Sequence, residues 1–411
     1  MHTYERPPMT TFRTIDDIAP DQRLLVRIDV NAAVEDGTVQ DSRRFARHAE
    51  TIQELLADDH AIALLARQGR PGRDTFVSLE QHAEILTGHL DHPVEFVPDT
   101  DGDDALAAID GLESGDVLLL ENTRMCDGEL PEEDPDTKAE TELVQTLAPE
   151  FDAYVGDAYS AAHRSHASIV GFPRVMDAYA GRVMETEYEA NTALRDREFD
   201  GTVTMILGGT KAEDAIPIVE QLDDAVDRFC LGGVVGELFL RADDRDVGYD
   251  VDGSALFDHQ WDEHQETLER VLEAYRDCLH LPTDLAFEDD RGERGETTLE
   301  GVSKERPFLD IGSKTAARYT DLVAGSEAVF VKGALGVFED ERFARGTVEV
   351  LSATAEADCF SVIGGGDTAR AFTLYDLDEA DFTRVSIAGG AYVRALTGEP
   401  LVGVAVLEYD G

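Results

Sequence analysis

Two kinds of residue recur at the ends of apolar runs in this sequence, and together they could bind two phosphorylated molecules. In the N-terminal half the recurring residue is arginine, as Arg67 and Arg70 in ARQGRPG, Arg124 in ENTRM and Arg164 in AAHRSH. In the C-terminal half it is glycine, at residues 208–209, 232–233, 333 with 336, 364–366 and 389–390. Guanidinium groups bind small anions, whereas bare backbone amides at helix N-termini suit polyphosphate. A two-substrate phosphoryl transfer needs both surfaces.

GGTK at residues 208–211 places a lysine directly after a strand-end glycine pair and before the helical pattern AEDAIPIVEQL. The glycines would let the backbone approach phosphate, and Lys211 would add a point charge. A glycine pair alone usually marks only a turn, and the run is not a Walker A motif, which needs G-x-x-x-x-G-K-[ST]. Because only five of the 35 basic residues are lysines, we favour a functional role for Lys211.

A second glycine run, IGGGDTARAF at residues 363–372, leads into a helix whose first turn carries Asp367 and Thr368. One interpretation makes Asp367 an ordinary helix N-cap. The other directs the helix N-terminus at phosphate and uses Asp367 to hold Mg²⁺. Both can hold together, because a capping residue also faces a ligand bound at the start of the helix.

The remaining motifs are ordinary when taken singly. In RIDVN apolar and polar residues alternate, so Asp29 and Asn31 would point the same way at the end of a strand. Arg70 could be a solvated surface charge, the commoner fate of arginine. His163 and His166 are three residues apart, but no third metal ligand is near, so packing or hydrogen bonding is the better interpretation. The four scattered cysteines fit small buried side chains.

The elements that must position these residues repeat as apolar run, polar or glycine turn and helical stretch, which indicates parallel α/β architecture. In such sheets ligands bind outside the carboxyl ends of the strands. A helix is expected over residues 180–194, between the two halves, and the acidic stretch 243–265 is interpreted as a surface insertion. The apolar runs are residues 24–30, 61–65, 117–120, 153–155, 202–207, 228–231, 328–331, 360–363 and 385–387.

The charge is unusual, because 87 acidic and 35 basic residues give a formal net charge of −52. Such self-repulsion opposes compaction in ordinary buffer, whereas at about 1 M salt the Debye length falls to about 3 Å. The composition fits the cytosol of an extreme halophile. The charges are spread along the chain, which argues against an acidic tail and a nucleic acid mimic. An acidic surface also argues against nucleic acid as a partner. With no membrane-length apolar stretch and no signal-peptide pattern, we expect a cytoplasmic protein without a membrane partner.

The order of the motifs is more specific than any one of them. The succession RIDVN, DSRRF, RQGRPG, LLENTR, GDAYSAAHRSHAS, GGTKAED, GGVVGELFL, GALGVFE, GGGDTA and AGGA resembles the phosphoglycerate kinase family over nearly the whole chain. The resemblance implies an α/β fold of two Rossmann-like domains, with parallel sheets facing a cleft and joined by a hinge helix. The expected boundaries are 1–180 for the phosphoglycerate domain, 181–200 for the interdomain helix, 201–385 for the nucleotide domain and 386–411 for a segment returning to the first domain.

The resemblance also implies the reaction, a reversible phosphoryl transfer between MgATP and the carboxylate of 3-phosphoglycerate that gives 1,3-bisphosphoglycerate and ADP in glycolysis and gluconeogenesis. Mg²⁺ would be the cofactor and ATP or ADP the co-substrate of a monomer. The residues implied for the phosphoglycerate site are Asp29, Asn31, Arg44, Arg67, Gln68, Gly69, Arg70, Arg124 and Arg164. Those implied for the nucleotide are Lys211, Gly232, Gly233, Glu339, Gly365, Gly366, Asp367 and Thr368, with Asp367 as metal ligand. The implied catalytic set is Arg44, Lys211, Gly366 and Gly389.

Several positions depart from the family pattern. Ala215 stands where the family has a second lysine, Arg67 where it has histidine, and KGALG replaces NGPxG. In SIAGGA, Ile387 and Ala388 replace a threonine and a glycine. We interpret Lys332 as a candidate to supply the charge missing at Ala215. Two alternatives stay open: a paralogue that phosphorylates a different acid, and a catalytically weak nucleotide-binding regulatory protein.

Overall fold

The computed structural model describes residues 12–248, 256–304 and 306–408. The chain divides into two compact units. Unit 1 holds the described residues up to Glu189 and those from Glu399 onward, and unit 2 runs from Ala190 to Gly398. Among the described residues, no helix combines the length and hydropathy that a membrane crossing requires.

Unit 1 is built on a parallel sheet. Its described strands are β1 (Arg23–Arg27), β2 (Val34–Glu35), β3 (Thr38–Val39), β4 (Ala61–Leu65), β5 (Glu95–Val97), β6 (Val117–Leu120), β7 (Ala153–Gly156) and β8 (Ala178–Ala180). The sheet order is β5-β6-β4-β1-β7-β8, and β2 and β3 form a separate antiparallel pair. Every residue of β4 and β6 is buried, which is typical of parallel strands covered on both faces.

The helices of unit 1 cover this sheet. They are α1 (Arg43–Ala57), α2 (Glu80–Leu90), α3 (Asp103–Asp110), α4 (Pro135–Ala139) and α5 (Glu142–Leu147), followed by α6 (Arg182–Asp196), which continues into unit 2. In α1 the buried residues Phe45, Ala49 and Ile52 recur at the helical spacing and pack into the same core as the apolar side chains of β1 and β4.

Unit 2 contains a second parallel sheet and a smaller antiparallel one. Its described strands are β9 (Val203–Leu207), β10 (Arg228–Leu231), β11 (Leu279–His280), β12 (Asp284–Glu288), β13 (Arg294–Thr298), β14 (Asp310–Ile311), β15 (Ala328–Lys332), β16 (Phe360–Gly364) and β17 (Arg384–Val385). The parallel sheet has the order β11-β10-β9-β15-β16-β17, and the antiparallel sheet has the order β13-β12-β14.

Glycines precede several helices of unit 2, because the chain turns sharply from a strand end into a helix start. Gly232, Gly365 and Gly389 are the N-caps of α8, α12 and α13 respectively. The helices described after α6 are α7 (Ala212–Leu222), α8 (Gly233–Ala242), α9 (Leu256–Tyr275), α10 (Ser313–Ala324), α11 (Arg345–Glu356), α12 (Gly366–Leu374), α13 (Gly390–Thr397) and, in unit 1, α14 (Val402–Ala405).

Each predicted apolar run overlaps an observed strand, and the helix predicted over residues 180–194 corresponds to α6. The strand predicted over residues 24–30 is too long, because β1 ends at Arg27 and the Asp29 backbone N–H donates to a histidine side chain instead of a neighbouring strand. Asp29 and Asn31 therefore lie in the loop after β1 and do not share a strand face.

The interpretation of residues 243–265 as a surface insertion is wrong for the part from Leu256 onward. That part begins α9, which packs against α7 and α8. Phe257 and Trp261, one helical turn apart, are buried, whereas the neighbouring Asp262 and Glu263 are exposed on other faces of the helix.

Candidate active site

Asp29 is the centre of the arginine site in unit 1. Its buried carboxyl oxygen Oδ2 accepts hydrogen bonds from Arg44 Nη1 and Ser160 Oγ and lies 3.4 Å from Arg67 Nη2. Burial alone would raise the pKa of this carboxyl group. The nearby charges of Arg67, Arg44 and Arg27 outweigh burial and hold its pKa well below the ordinary value. Asp29 is therefore a permanent anion that orients two guanidinium groups.

A buried His48–Asp157 pair holds Asp29 from behind. The Asp29 backbone N–H donates to His48 Nε2 at 3.1 Å, so the imidazole proton lies on Nδ1, 2.7 Å from Asp157 Oδ2. The other Asp157 oxygen accepts from the backbone N–H groups of Val183 and Met184 in the first turn of α6. The loop after β1 is thereby tied to the start of the helix that continues into unit 2.

The arginine site carries more positive charge than Asp29 can balance. Burial, together with repulsion from Arg67 and Arg27, lowers the pKa of Arg124 to about 10. Burial lowers the pKa of Arg67 too, against the attraction of Asp29. The buried nitrogens Arg27 Nη2, Arg67 Nε and Arg124 Nε have no hydrogen-bond partner among the described residues. Cationic donors held together without partners are what a bound anion would satisfy.

Gly69 forms hydrogen bonds with two other predicted substrate residues. Its N–H donates to Asn31 Oδ1 at 2.9 Å, and its carbonyl oxygen accepts from Arg124 Nη1. Its φ is +64°, and a Cβ atom at this position would lie 2.2 Å from the carbonyl oxygen of Thr75. Glycine is therefore required where the loops after β1, β4 and β6 meet.

Gln68, Arg70 and Arg164 have different surroundings. The Gln68 side chain is fully buried and bonds to the backbone of Ala32 and Thr75, so it supports the loop, and a direct substrate contact stays a prediction. Arg70 is exposed, and its charge contributes to lowering the pKa of Arg124. Arg164 acts likewise on Arg67, and its Nη1 pairs with a glutamate carboxylate at 2.8 Å. The structure thus brings the predicted arginines into one electrostatic cluster.

His166 provides a pH test of this cluster. Burial and the charges of Arg124 and Arg27 lower its pKa to about 3, so the folded protein keeps it neutral where the unfolded chain binds a proton below about pH 6.5. Folded stability contributed by this residue is therefore lost as pH falls. The test compares the free energy of unfolding of wild type with that of His166→Gln. As pH is lowered from about 6 to 4, we expect the wild-type value to fall relative to the variant's by about 1.4 kcal/mol per pH unit. Urea denaturation in molar KCl measures it, and a pH-independent difference would contradict the prediction.

In unit 2 the loops after the adjacent strands β9 and β15 lie against one another. Gly208 N–H donates to the carbonyl oxygen of Lys332 at 2.8 Å, and Gly209 N–H to that of Ala334 at 2.7 Å. Gly333 has φ +83°, and a Cβ atom there would lie 2.4 Å from the carbonyl oxygen of Gly208. Only glycine permits this close approach of the two loops. Because glycine has no side chain, backbone atoms line the carboxyl ends of both strands.

The predicted glycines 232 and 233 join the same group of loops. Gly233 N–H donates to the carbonyl oxygen of Leu335 at 3.0 Å, and Val235 N–H to that of Gly209 at 3.2 Å. The start of α8 is therefore fixed against the loops after β9 and β15. Its N-terminal residues face a cavity, described below.

Lys211 and Lys332 are near each other in the fold. Lys211 is exposed at the N-cap of α7, and no hydrogen bond or ion pair of its side chain occurs within the described ranges. Lys332 ends β15, and its Nζ lies 2.7 Å from Asp214 Oδ2 in the first turn of α7. Ala215, the next residue, is buried. Lys332 thus brings a positive charge to the helix that lacks the second lysine, although Asp214 shares that charge.

The third glycine loop leads into α12. Gly365 has φ +105°, and a Cβ atom there would lie 3.7 Å from Gly333 N, so this loop adjoins the loop after β15. Thr368 is buried, and its Oγ1 has no hydrogen-bond partner in the described part of the chain. The backbone of Gly366 and Asp367 begins α12, whereas their side-chain surroundings fall outside what the structure describes.

Gly389 precedes α13 with open space beside it, because a Cβ atom at this residue would meet no atom within 4 Å. The neighbouring departures Ile387 and Ala388 are buried, and Ala388 N–H donates to Ser386 Oγ at 3.1 Å. The methyl group of Ala388 is therefore buried inside unit 2.

A cavity of about 230 Å³ opens beside the glycine loops. Gly209, Gly233 and Gly333 line it on the loop side, and Glu339 lines it with an exposed side chain. Leu285 and Phe308 form an apolar wall contributed by the antiparallel sheet region, which the sequence reasoning missed. An apolar slot beside bare backbone amides suits a nucleoside polyphosphate.

Sequence reasoning also missed residues of the arginine site. Arg27 is completely buried in β1, and its Nε donates to Ser168 Oγ at 2.9 Å. Ser168 Oγ in turn donates to the buried carboxylate of Glu129 at 2.7 Å. The available signal was an arginine within the apolar run LLVRIDV, because a buried arginine needs anionic or polar partners.

The chain is an α/β protein of two parallel-sheet units. One unit has a cluster of buried arginines around Asp29, and the other has glycine loops beside a cavity of about 230 Å³. The family model described as phosphoglycerate kinase matches residues 15–399. A phosphoglycerate kinase of Halorubrum lacusprofundi is 63% identical over 401 residues, with 97% of this chain and 98% of the relative covered. One of Haloarcula marismortui is 62% identical over 399 residues, covering 97% and 100%.

Among solved structures, the crystal structure of phosphoglycerate kinase from Pyrococcus horikoshii OT3 is similar with a TM-score of 0.90 at 30% identity, covering 96% of this chain and 98% of that one. The chain belongs to the phosphoglycerate kinase family. The predictions of the family and of the α/β fold with two Rossmann-like domains are confirmed, and the halophilic relatives agree with the acidic composition.

Proposed function

We propose that this protein catalyses reversible phosphoryl transfer between ATP and the carboxylate of 3-phosphoglycerate, giving 1,3-bisphosphoglycerate and ADP. The observation that carries the proposal beyond family membership is the set of buried guanidinium donors without partners around Asp29. An acceptor with a phosphate and a carboxylate supplies the negative charges that these donors lack. No observation favours the alternatives of a different acceptor acid or of a regulatory protein without turnover.

In the forward direction an oxygen of the acceptor carboxylate attacks the γ-phosphorus of ATP. The new bond joins that oxygen to phosphorus, the bond to the β-phosphate oxygen breaks, and ADP leaves with the electron pair. No proton has to move, so the protein contributes positioning and charge neutralisation. We assign acceptor binding to Asp29, Asn31, Arg44, Arg67, Gln68, Gly69, Arg70, Arg124 and Arg164.

Arg44 and Lys211 are assigned to the transferring phosphoryl group. Arg44 is held by Asp29, whereas the Lys211 ammonium group carries no competing carboxylate within the described residues. Backbone amides at Gly366 and Gly389, both at helix starts, would add donors to the oxygens on phosphorus. Preorganised donors of this kind stabilise the charge that spreads over the equatorial oxygens.

On the nucleotide side, the cavity would hold the nucleoside and the glycine loops its phosphates. Glu339, exposed at the cavity, is assigned to the ribose hydroxyl groups. The phosphate contacts are assigned to Gly232, Gly233, Gly365, Gly366 and Thr368.

The residues at the start of α12 fit Mg²⁺. Thr368 Oγ1 is a buried oxygen without a partner in the described part of the chain, and Asp367 precedes it in the same turn. Magnesium prefers oxygen ligands and is usually held by one or two protein groups together with substrate phosphates. When bound, the ion would neutralise phosphate charge, and Asp367 is the ligand we assign to it.

We further propose that the protein works as a cytoplasmic monomer without nucleic acid or membrane partners. The dispersed negative charge supports the absence of nucleic acid and anionic membrane partners, because it repels polyanions.

A coupled assay of ATP turnover in molar KCl, with a panel of phosphorylated three- and four-carbon acids, tests the proposed function. We expect kcat/KM to be highest for 3-phosphoglycerate. A higher value for another acid would favour the paralogue, and nucleotide binding without turnover on any acid would favour the regulatory protein.

Replacing Arg124 by alanine is expected to raise the KM for 3-phosphoglycerate about tenfold or more, with the KM for ATP unchanged. The reason is the loss of a charge-assisted hydrogen bond, worth about 1.5–3 kcal/mol. Steady-state kinetics measure both constants. The matched control is Arg174→Ala, which removes an exposed arginine of unit 1 that pairs with Asp136. Equal rises in both KM values, or a change below twofold, would contradict the assignment.

A further inference from the structure

The cavity beside the glycine loops contains a carboxyl group that the proposed function leaves unused. Its ionisable lining side chains are Glu237, Asp310 and Glu339. Asp310 is fully engaged, because Arg294 Nη1 and the backbone N–H groups of Ile311 and Gly346 each lie 2.9 Å from its oxygens. Glu339 is exposed. Glu237 is therefore the carboxyl group that is both buried and available to a ligand in the cavity.

Glu237 belongs to α8, the helix that also contributes Gly233 to the cavity lining. It lies one helical turn after Gly233 in α8, and residues four apart share a face of a helix. Its side chain is only 7% exposed. Around it the cavity is apolar, with Val234, Leu285, Phe308 and Val337 in the lining. A flat aromatic ring inserted between these side chains would meet the carboxyl group at its edge.

Among residues 12–248, 256–304 and 306–408, no lysine, arginine or histidine forms an ion pair with the Glu237 carboxyl group. Arg241, the next residue along the same helix face, pairs instead with Asp258 at 3.5 Å. Burial raises the pKa of the Glu237 carboxyl group to about 8, although a hydrogen bond from the backbone N–H of Gly248 acts to lower the pKa. The group is thus neutral at pH 7, with an O–H donor and carbonyl acceptor capacity, and a buried polar group of this kind requires partners.

We propose that Glu237 selects the nucleobase, by hydrogen bonding to the 6-amino edge of adenine. This inference rests on the proposed function, because it names the feature of the nucleotide that the same site recognises. The adenine edge presents an N–H donor at N6 beside a ring-nitrogen acceptor at N1 or N7, and a neutral carboxyl group presents the complementary acceptor and donor. Glu237 does not touch the transferring phosphoryl group, so its effect falls on nucleotide binding and not on kcat.

The test compares ATP with purine riboside triphosphate, which lacks the 6-amino group, in the kinase reaction and in direct titration calorimetry in molar KCl. For wild type we expect the KM and Kd of the analogue to be about tenfold or more above those of ATP, as for a lost hydrogen bond in a buried site. Glu237→Leu should bind both nucleotides equally, with kcat for ATP unchanged. Glu237→Gln, which keeps a donor and an acceptor, should retain most of the preference for ATP.

Glu349→Leu is the matched control, because Glu349 lies in α11 of the same unit, away from the cavity lining, and pairs with Arg345. It should discriminate between the nucleotides as wild type does. The inference is overturned if Glu237→Leu keeps the wild-type ratio, or if wild type shows no preference between the two nucleotides. If wild type binds neither nucleotide, the proposed function itself is contradicted.

Discussion

Lys211→Ala is expected to lower kcat for ATP-dependent phosphorylation of 3-phosphoglycerate about 10²–10³-fold, the scale for removing one preorganised donor. Lys211 is exposed at the N-cap of α7, directly after the glycine pair that ends β9. Its ammonium group pairs with no carboxylate among the described residues, so its charge is available to a phosphoryl group. Ala215 leaves α7 without a second lysine, and the Lys332 charge is shared with Asp214. Steady-state kinetics in molar KCl measure the change.

The matched control is Lys314→Ala. Lys314 is also an exposed lysine near the start of a helix that follows a glycine, but it belongs to α10 and does not line the cavity. This variant should keep wild-type kcat, whereas Lys211→Arg should restore part of the activity lost in Lys211→Ala, because it keeps the positive charge. Wild-type kcat in Lys211→Ala would remove Lys211 from the mechanism.

Transfer from molar KCl to dilute buffer is expected to unfold the protein. The net charge of −52 is spread over both halves of the chain, and the Debye length grows from about 3 Å at 1 M salt to about 30 Å at 0.01 M. Repulsion that is screened in molar salt then acts across a whole unit and destabilises the compact state. Circular dichroism melts over a KCl series should show Tm falling as salt is removed, with loss of helical signal in dilute buffer.

Sucrose at equal osmolality is the control, because it favours compact states without screening charge. It should restore less of the folded signal than KCl does. A cooperative melt and full activity in dilute buffer would contradict the expectation. Equal rescue by sucrose and KCl would show that charge screening is not the cause.

The parallel sheets could be predicted because most residues of their strands are apolar and buried. The runs at residues 61–65, 117–120 and 228–231 have the bounds of β4, β6 and β10. The short strands of the antiparallel sheet were not predicted. One of them, β13, has the sequence RGETT, is partly exposed and contains no apolar run. Such strands depend on pairing with a neighbour, which periodicity does not reveal.

Helix α9 was not predicted because its sequence is rich in acidic residues. Residues 256–275 contain many carboxylates, yet α9 buries Phe257, Trp261 and Leu268 along one face. In a chain with this charge, acidic content no longer separates surface insertions from amphipathic helices, because the exposed side of a helix such as α9 is rich in carboxylates too. The spacing of the large apolar residues is the better indicator.

Some residues of the candidate sites could be predicted from the order of the strands, whereas others are recognised only from their contacts in the fold. Arg67 and Arg124 stand at the ends of β4 and β6, so their convergence follows from parallel topology. The roles of Arg27 and Glu237 do not follow from local sequence. Each is a charged residue type inside an apolar stretch, which signals that the residue needs polar partners, but the partners themselves are known only from the fold.

The most direct test of the central claim is to detect the acyl phosphate product. Wild-type protein in molar KCl is incubated with ATP, Mg²⁺ and 3-phosphoglycerate, and hydroxylamine traps any acyl phosphate as a hydroxamate. We predict equal amounts of ADP and hydroxamate, formed only when both substrates are present. ADP formed at the same rate without 3-phosphoglycerate, or ADP without hydroxamate, would contradict phosphoryl transfer to the carboxylate.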